Sequence, residues 1–522
     1  MRNNIKSKVL LLIMGVIFVS SCQNESVEPV GNITKTYGDS IAARAAVNEL
    51  YTKGLSQLYL STDQDNGIPL AWGSYLSGLF ESEATQGYYP ALTMQNMTAP
   101  SVKDLAKQIY STCFDGIEAA DTIIQHIPNT LGLNPAEQAK LIGEAKFFRA
   151  FNRFYLIRVF GAFPDKRADS SYLSMETSYA KVEKDLLEAI ATLPDKSFVE
   201  NKSHVTSLVA RALLGDVYLH MSGRPLQKDK YVEAAEILRP IIKSGKHQLA
   251  SNGVREDQSA FNILRTTPTN DEYLYVIYGE NTLSRASFAF PKIAKNWDNV
   301  KEHVAFNAFR PTRTLLACYG DEDLRGKDHQ FFHTFFKVKD DGKTIFEIFS
   351  PAPYYWLSSG TEITAQPKQY VGVYRYAEIL LMAAEAIARS EGVTPEAVNY
   401  LSQVRTRSVS TKLVELEKTL SVLTTDKFLE EVWLERLREL PYEMKQLSDI
   451  IRTNYYPVYY KDSTLRACPT SRSSHSSRQI IRETIFLSAK TYSLIKWVSS
   501  GVVLIRSISE STRESISCFI LR

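Results

Sequence analysis

Glu81 and Glu83 stand two positions apart in Phe80-Glu81-Ser82-Glu83. Two carboxyl groups flanking a glycosidic bond can split it, one as acid and the other as nucleophile or base. Closeness in sequence does not aim two side chains at one bond, and such pairs are common by chance. His329 and His333, in His-Gln-Phe-Phe-His, have the spacing of two zinc ligands on one helical turn, but the adjacent glutamate that would act as base is absent. No metal is expected there. Asp63-Gln64-Asp65-Asn66-Gly67 opens like a calcium loop, yet its glycine falls one place early and the twelfth position is Ser74 rather than Glu. Asp321-Glu322-Asp323 reads as a solvated turn or an ion-pair partner. The chain contains no GxSxG, phosphate-cradling loop or dinucleotide fingerprint. No catalytic residue and no cofactor is expected, and the protein reads as a non-enzyme.

Binding chemistry is better represented. The chain has 28 tyrosines and 24 phenylalanines, more ring surface than a core alone usually needs. Tyr88 and Tyr89 precede Pro90, Trp297 lies in an irregular stretch, and Tyr355 and Trp356 fall between Pro353 and a Ser-Ser-Gly turn. A sugar offers C–H faces that stack on flat rings and hydroxyls that need polar neighbours. Tyr88, Tyr89, Trp297, Tyr355 and Trp356 are therefore the candidate ligand-binding residues.

These residues must be held by a scaffold that reads as mainly helical. Helical periodicity runs through 102–126, 143–160, 178–193, 204–223, 231–245, 374–390 and 395–407. The stretch 143–164 puts Phe147, Phe148, Phe151, Phe154 and Tyr155 close to one face and stops at Gly161 and Pro164. It is expected to be an amphipathic helix whose Arg149 and Arg153 stems cover apolar surface. Gly215 with Tyr218, followed by Tyr231 and Ala234, suggests a tetratricopeptide-like hairpin in which the glycine admits a neighbouring helix. Residues 374–407 suggest a second one.

The two ends differ from the body. Residues 1–21 carry Arg2, Lys6, Lys8 and an apolar run from Val9 to Val19, the pattern of an export signal. That run is too short to span a bilayer of ~30 Å. It leads to Val-Ser-Ser-Cys, which resembles a lipoprotein cleavage site with Cys22 as the lipid-bearing residue. A polar tether (22–40) follows. The overall charge of +3 hides a segregation: 1–21 holds three basic residues and no acid, and 454–522 holds ten against four, leaving −6 on the body. An acidic body argues against nucleic acid. From about 454 the composition turns Ser- and Arg-rich without periodicity, as a basic tail or a lost reading frame would. The expectation is a helical binding domain over 41–453, with an irregular insertion at about 250–370, and a disordered tail over 454–522. The five cysteines lie far apart and form no metal-ligand spacing.

Several segments together resemble the SusD/RagB family. They are Glu144-Ala145-Lys146-Phe147-Phe148-Arg149-Ala150 through Phe160-Gly161-Ala162-Phe163-Pro164; Ala210-Arg211-Ala212-Leu213-Leu214 through Tyr218; and Tyr374-Arg375-Tyr376-Ala377-Glu378 through Ala386. Leu401 through Arg407, and the set Glu435, Arg436, Glu439, Glu443, Asp449 and Arg452, complete the pattern over about 22–453. The resemblance implies a mainly α, SusD-like fold with tetratricopeptide-like hairpins as scaffold and an irregular, loop-rich ligand-binding region. It implies a surface lipoprotein on the outer membrane that captures oligosaccharide, or peptide as RagB-like proteins do, for a SusC-like TonB-dependent transporter. A surface glycosidase is the competing reading.

Overall fold

A computed structural model describes residues 37–60, 68–82, 87–279, 309–340, 344–356, 370–459 and 465–469. Cys22, the 63–67 stretch, Glu83 and Trp297 lie outside them.

Short helices α1 (Ser40–Glu49), α2 (Leu55–Leu60), α3 (Ile68–Tyr75) and α4 (Tyr89–Thr93) lead into the scaffold. It is built from α5 (Pro100–His126), α6 (Pro135–Phe160), α7 (Met175–Thr192), α8 (Ser207–Ser222) and α9 (Tyr231–Lys243). Each packs on the one before it in an antiparallel ladder. Helix α6 is the aromatic stretch, and it begins at Pro135, earlier than residue 143. The Asn134 side chain accepts a hydrogen bond from the Glu137 amide at 2.9 Å, and Pro135 occupies the first turn, where no backbone N–H is needed. It ends where Gly161 turns left-handed at φ 82°.

The arginines of α6 do not face water as the sequence pattern suggests. Helix α6 is wedged between α5 and α7. Arg149 grips Asp185 of α7 at 2.5 and 2.8 Å and Asp121 of α5 at 2.6 Å. Arg153 reaches Asp185 at 2.9 Å. With partners on both flanks the helix is buried around most of its circumference, and the arginines pin three helices together. Asn152 does similar work: its side-chain oxygen accepts from the Leu55 amide at 2.7 Å. A Cβ added at Gly116 would lie 2.8 Å from that side chain, so only glycine lets α5 come this close.

The hairpin of α8 and α9 follows the sequence reading. A Cβ on Gly215 would stand 2.5 Å from Leu238 of α9, and the buried Tyr218 donates to Glu183 at 3.0 Å. Helix α12 (Tyr376–Ser390) packs on α9, on α13 (Pro395–Thr406), which α14 (Leu413–Ser421) covers, and on α15 (Thr425–Glu439), carrying the scaffold into the C-terminal half. Between the halves lie α10 (Ala260–Thr266), α11 (Arg313–Leu316) and most of the strands. The strands form two-stranded antiparallel sheets, among them β2 (Tyr273–Tyr278) with β6 (Tyr370–Arg375) and β4 (Phe332–Asp340) with β5 (Thr344–Pro353).

A buried charged layer ties the intervening segments to the C-terminal half. Arg375, at the end of β6, bonds Glu272 at 2.8 Å, Glu439 at 2.5 Å and Glu443 at 2.8 Å. Arg407 shares Glu272 and Glu439 with it. Arg325 binds Asp323 and Glu435 at 2.7 Å each and Glu439 at 2.9 Å. Beyond these, Arg436 joins Asp449 at 2.7 Å, and Arg452 joins Glu385 at 2.5 Å. Burial alone would raise the Glu272, Glu385 and Asp449 carboxyls, but the facing arginines outweigh it and hold them below the usual carboxylate range. Glu443 goes the other way, raised by burial. The Glu435-Arg436…Glu439…Glu443…Asp449…Arg452 spacing is thus the sequence trace of an ion network. Each buried charge there is tolerable only because it is paired.

The fold continues past the boundary expected at 453. Helix α16 (Gln446–Thr453) ends at the left-handed Asn454, φ 60°. Strand β7 (Tyr455–Tyr459) then pairs antiparallel with β8 (Leu465–Pro469). The Tyr455 ring lies 4.2 Å from that of Trp433, and the buried Tyr456 donates to the Gly78 carbonyl at 3.3 Å. Isolated composition hid this hairpin because its anchoring contacts lie on remote parts of the chain.

Candidate ligand-binding face

The sequence candidates are not the exposed loop rings that stacking on a sugar requires. Tyr88 and Tyr89 open α4 and are 4% and 6% exposed, and Tyr355 and Trp356 are 4% and 6% exposed. The structure does bring most of them together. Tyr88 packs on Tyr89 at 4.7 Å, Tyr89 approaches Phe309 at 6.2 Å, and Phe309 meets Trp356 edge-on at 5.1 Å. Trp356 continues to Tyr442 at 5.0 Å. Tyr354–Trp356 is a turn of 3₁₀-helix, in which consecutive side chains point about 120° apart. Trp356 therefore joins this cluster while Tyr355 turns to Phe331, at 5.3 Å, and to the Tyr273 hydroxyl, at 3.0 Å. Tyr354 takes the third direction, under Arg265, whose guanidinium carbon is 4.4 Å from the ring centre.

Tyr354 is the floor of a cleft of about 310 Å³ lined also by Glu256, Asp257, Asn262, Asp328, His329 and Gln330. Ser259 caps α10 and donates to the Gln330 side chain at 2.5 Å, and Asn262 donates to the His329 carbonyl at 2.9 Å. These bonds fix the far wall. The histidine pair is not on a helix: His329 is in a turn at φ 59° and His333 is in β4. Their rings nonetheless stack at 4.6 Å. Burial would raise the Asp328 carboxyl, but the hydrogen bond and charge of His333, with the Thr334 amide and His329, bring it down to about 2. A carboxylate ionised at every physiological pH is no general acid.

A second cleft, of about 240 Å³, lies between α1 and the edge of β2 and is lined by Asn48, Tyr51, Thr52, Ser203, His204 and Tyr278 above buried Tyr275, Val276 and Ile277. Tyr278 ends β2 and is 38% exposed, unlike the ring candidates read from the sequence. Its ring is braced flat against Phe198 at 6.5 Å with 9° between planes. Glu144 of α6 sets the opposite wall, accepting from Tyr51 at 2.6 Å and lying 3.0 Å from the His204 imidazole. Sequence reasoning missed this site because Tyr278 sits in a strand whose other members are all buried. The available signal was its place as the last strand residue, before Gly279.

Of the sequence's acid pair, Glu81 is paired with Arg310 at 2.8 Å across β1 (Phe80–Glu81) and β3 (Arg310–Pro311). Asp323 is not solvated but belongs to the buried charged layer.

A helical-hairpin scaffold with short sheets and polar, ring-bearing clefts defines the class of the molecule. Comparison with known proteins agrees. The SusD family model matches residues 356–482, past the 453 limit of the sequence resemblance, and a model described as starch-binding associating with outer membrane matches 55–219. The chain belongs to the SusD/RagB family. A SusD-like protein of Bacteroides ovatus is 24% identical over 237 residues, 43% of this chain and 41% of that relative's length. A SusD superfamily protein from Parabacteroides distasonis has a TM-score of 0.66 at 23% identity, covering 81% of this chain and 90% of its own. Surface glycan-binding protein A from Bacteroides thetaiotaomicron, solved with laminarihexaose, has a TM-score of 0.60 at 17% identity, covering 79% of this chain and 90% of its own. Among the described residues no helix is long and apolar enough to cross a membrane.

Proposed function

We propose that the protein is a non-catalytic, cell-surface lipoprotein that captures oligosaccharide for import through a partner SusC-like TonB-dependent transporter. The observation that carries the reading is the Tyr278 cleft. An exposed ring held flat by Phe198 offers a stacking platform, and Asn48, Thr52, Ser203 and His204 offer polar groups for hydroxyls. The starch-binding description of the matched family model and the laminarihexaose bound to a structural relative support the same ligand class. The glycosidase reading loses its main support with Glu81 engaged by Arg310.

Tyr278→Ala should weaken oligosaccharide binding about twofold to tenfold, the value of one stacking ring at ~0.5–1.5 kcal/mol. Because the ring is partly exposed, the melting temperature should change little. Titration calorimetry against starch- and laminarin-derived oligosaccharides checks this; wild-type affinity in the variant would remove the cleft from the function, and chain shortening during incubation would restore the enzyme reading.

Anchoring is proposed to rest on Cys22. Cys22→Ala should move the protein from the membrane to the soluble fraction, since no other lipid attachment is expected. Unaltered fractionation would rule the anchor out.

A further inference from the structure

The cluster at the rim of the 310 Å³ cleft is not used by the proposed glycan site. Asp328, His329 and His333 place one ligand atom each within 4.8 Å of one another. The Asp328 oxygens lie 3.1 Å from His333 Nδ1 and 3.6 Å from His329 Nε2. Two donors on one tetrahedral zinc ion, each at ~2.0–2.1 Å, are about 3.3 Å apart. The two contacts end on different Asp328 oxygens, Oδ1 toward His333 and Oδ2 toward His329, and both are close to that span. All three ligand atoms lie within 4.8 Å, and His329, 40% exposed at the cleft and stacked on His333, closes on an ion by rotating its ring out of that stack.

The surroundings favour a cation over a simple hydrogen-bonded group. Asp328 Oδ1 also accepts from the Thr334 amide at 2.6 Å and its hydroxyl at 3.1 Å, the support that ligating carboxylates commonly have, and this leaves Oδ2 directed to His329. Glu256, Asp257 and Asp328 line the same cleft, where Arg255 pairs with Asp257 at 2.7 Å and Arg265 lies over Tyr354, so among the described residues three acids face two bases and the local charge is negative. Two imidazoles and one carboxylate are a donor set for late first-row divalent ions, whereas calcium and magnesium select oxygen.

We propose that Asp328, His329 and His333 form a binding site for a late first-row divalent cation, Zn²⁺ fitting best, with its open coordination position facing the cleft. The pair discounted for lacking a helical zinc motif meets instead through a turn and a strand. The test is equilibrium dialysis of the full chain with Zn²⁺, and with Co²⁺ as a spectroscopic probe, for wild type, His329→Ala and His333→Gln. Wild type should hold one ion per chain and give visible cobalt absorption. His329→Ala should bind at least tenfold more weakly and lose the absorption, with an unchanged thermal transition in chelator. His333→Gln should behave the same way. Equal Zn²⁺ binding in wild type and His329→Ala, no stoichiometric binding by wild type, or full competition by Ca²⁺ would each overturn the site.

Discussion

Arg375→Ala should lower folding stability by about 3–5 kcal/mol, the cost of removing one partner from a buried ion pair. Arg375 is fully buried and answers three carboxylates, Glu272 from one segment and Glu439 and Glu443 from another. Removing it leaves Glu272 and Glu439 to Arg407 and Arg325 and takes from Glu443 its ion-pair partner. The denaturation midpoint in urea measures the loss, and a change below about 1 kcal/mol would show the network to be dispensable. Acid gives a second readout. Glu272, Glu385 and Asp449 have folded pKa values below their unfolded ones, so their contribution is present above pH ~4 and is lost as pH falls below it. Glu443, raised by burial, has the opposite sign and offsets part of it. Wild type should therefore lose stability below about pH 4 more steeply than Arg375→Ala, in which fewer carboxylates are held down.

Phe147→Ala should cost about 3–5 kcal/mol, as truncation of a buried aromatic does. Phe147 is inaccessible to solvent; it stacks on Phe151 at 5.9 Å and meets Tyr275 of β2 edge-on at 5.7 Å. It ties α6 to the central sheet. Thermal unfolding checks the loss; a shift as small as that of an exposed substitution would mean the cavity collapses. Its effect should far exceed that of Tyr278→Ala, which separates scaffold rings from ligand rings.

The resemblance read from the motifs and the long helices were legible in the sequence because both are local. A helix announces itself through residues three and four apart, through Asn134-Pro135 at its start and Gly161 at its end. The Gly215 hairpin was legible for the same reason. The Glu435 to Arg452 spacing was visible as a pattern, but its meaning was not: Arg325 meets Glu435 across 110 residues and Arg375 meets Glu272 across 103. No local rule reports which charges will face each other at that range.

The site was less legible than the scaffold. Sequence alone determined that the chain is rich in rings, carries no catalytic signature and builds a helical frame. Tertiary structure decided which rings are spent on the core. Tyr88, Tyr89, Tyr355 and Trp356 look like surface rings beside Gly, Pro and Ser, yet helix α4 and the 3₁₀ turn swing them inward. Tyr278 looks like a core strand residue and stays outside. The histidines at 329 and 333 reach each other through a turn rather than a helix. The physical reason is common to all of these. Exposure is set by what packs against a residue, and at these positions the packing partners are far away in sequence.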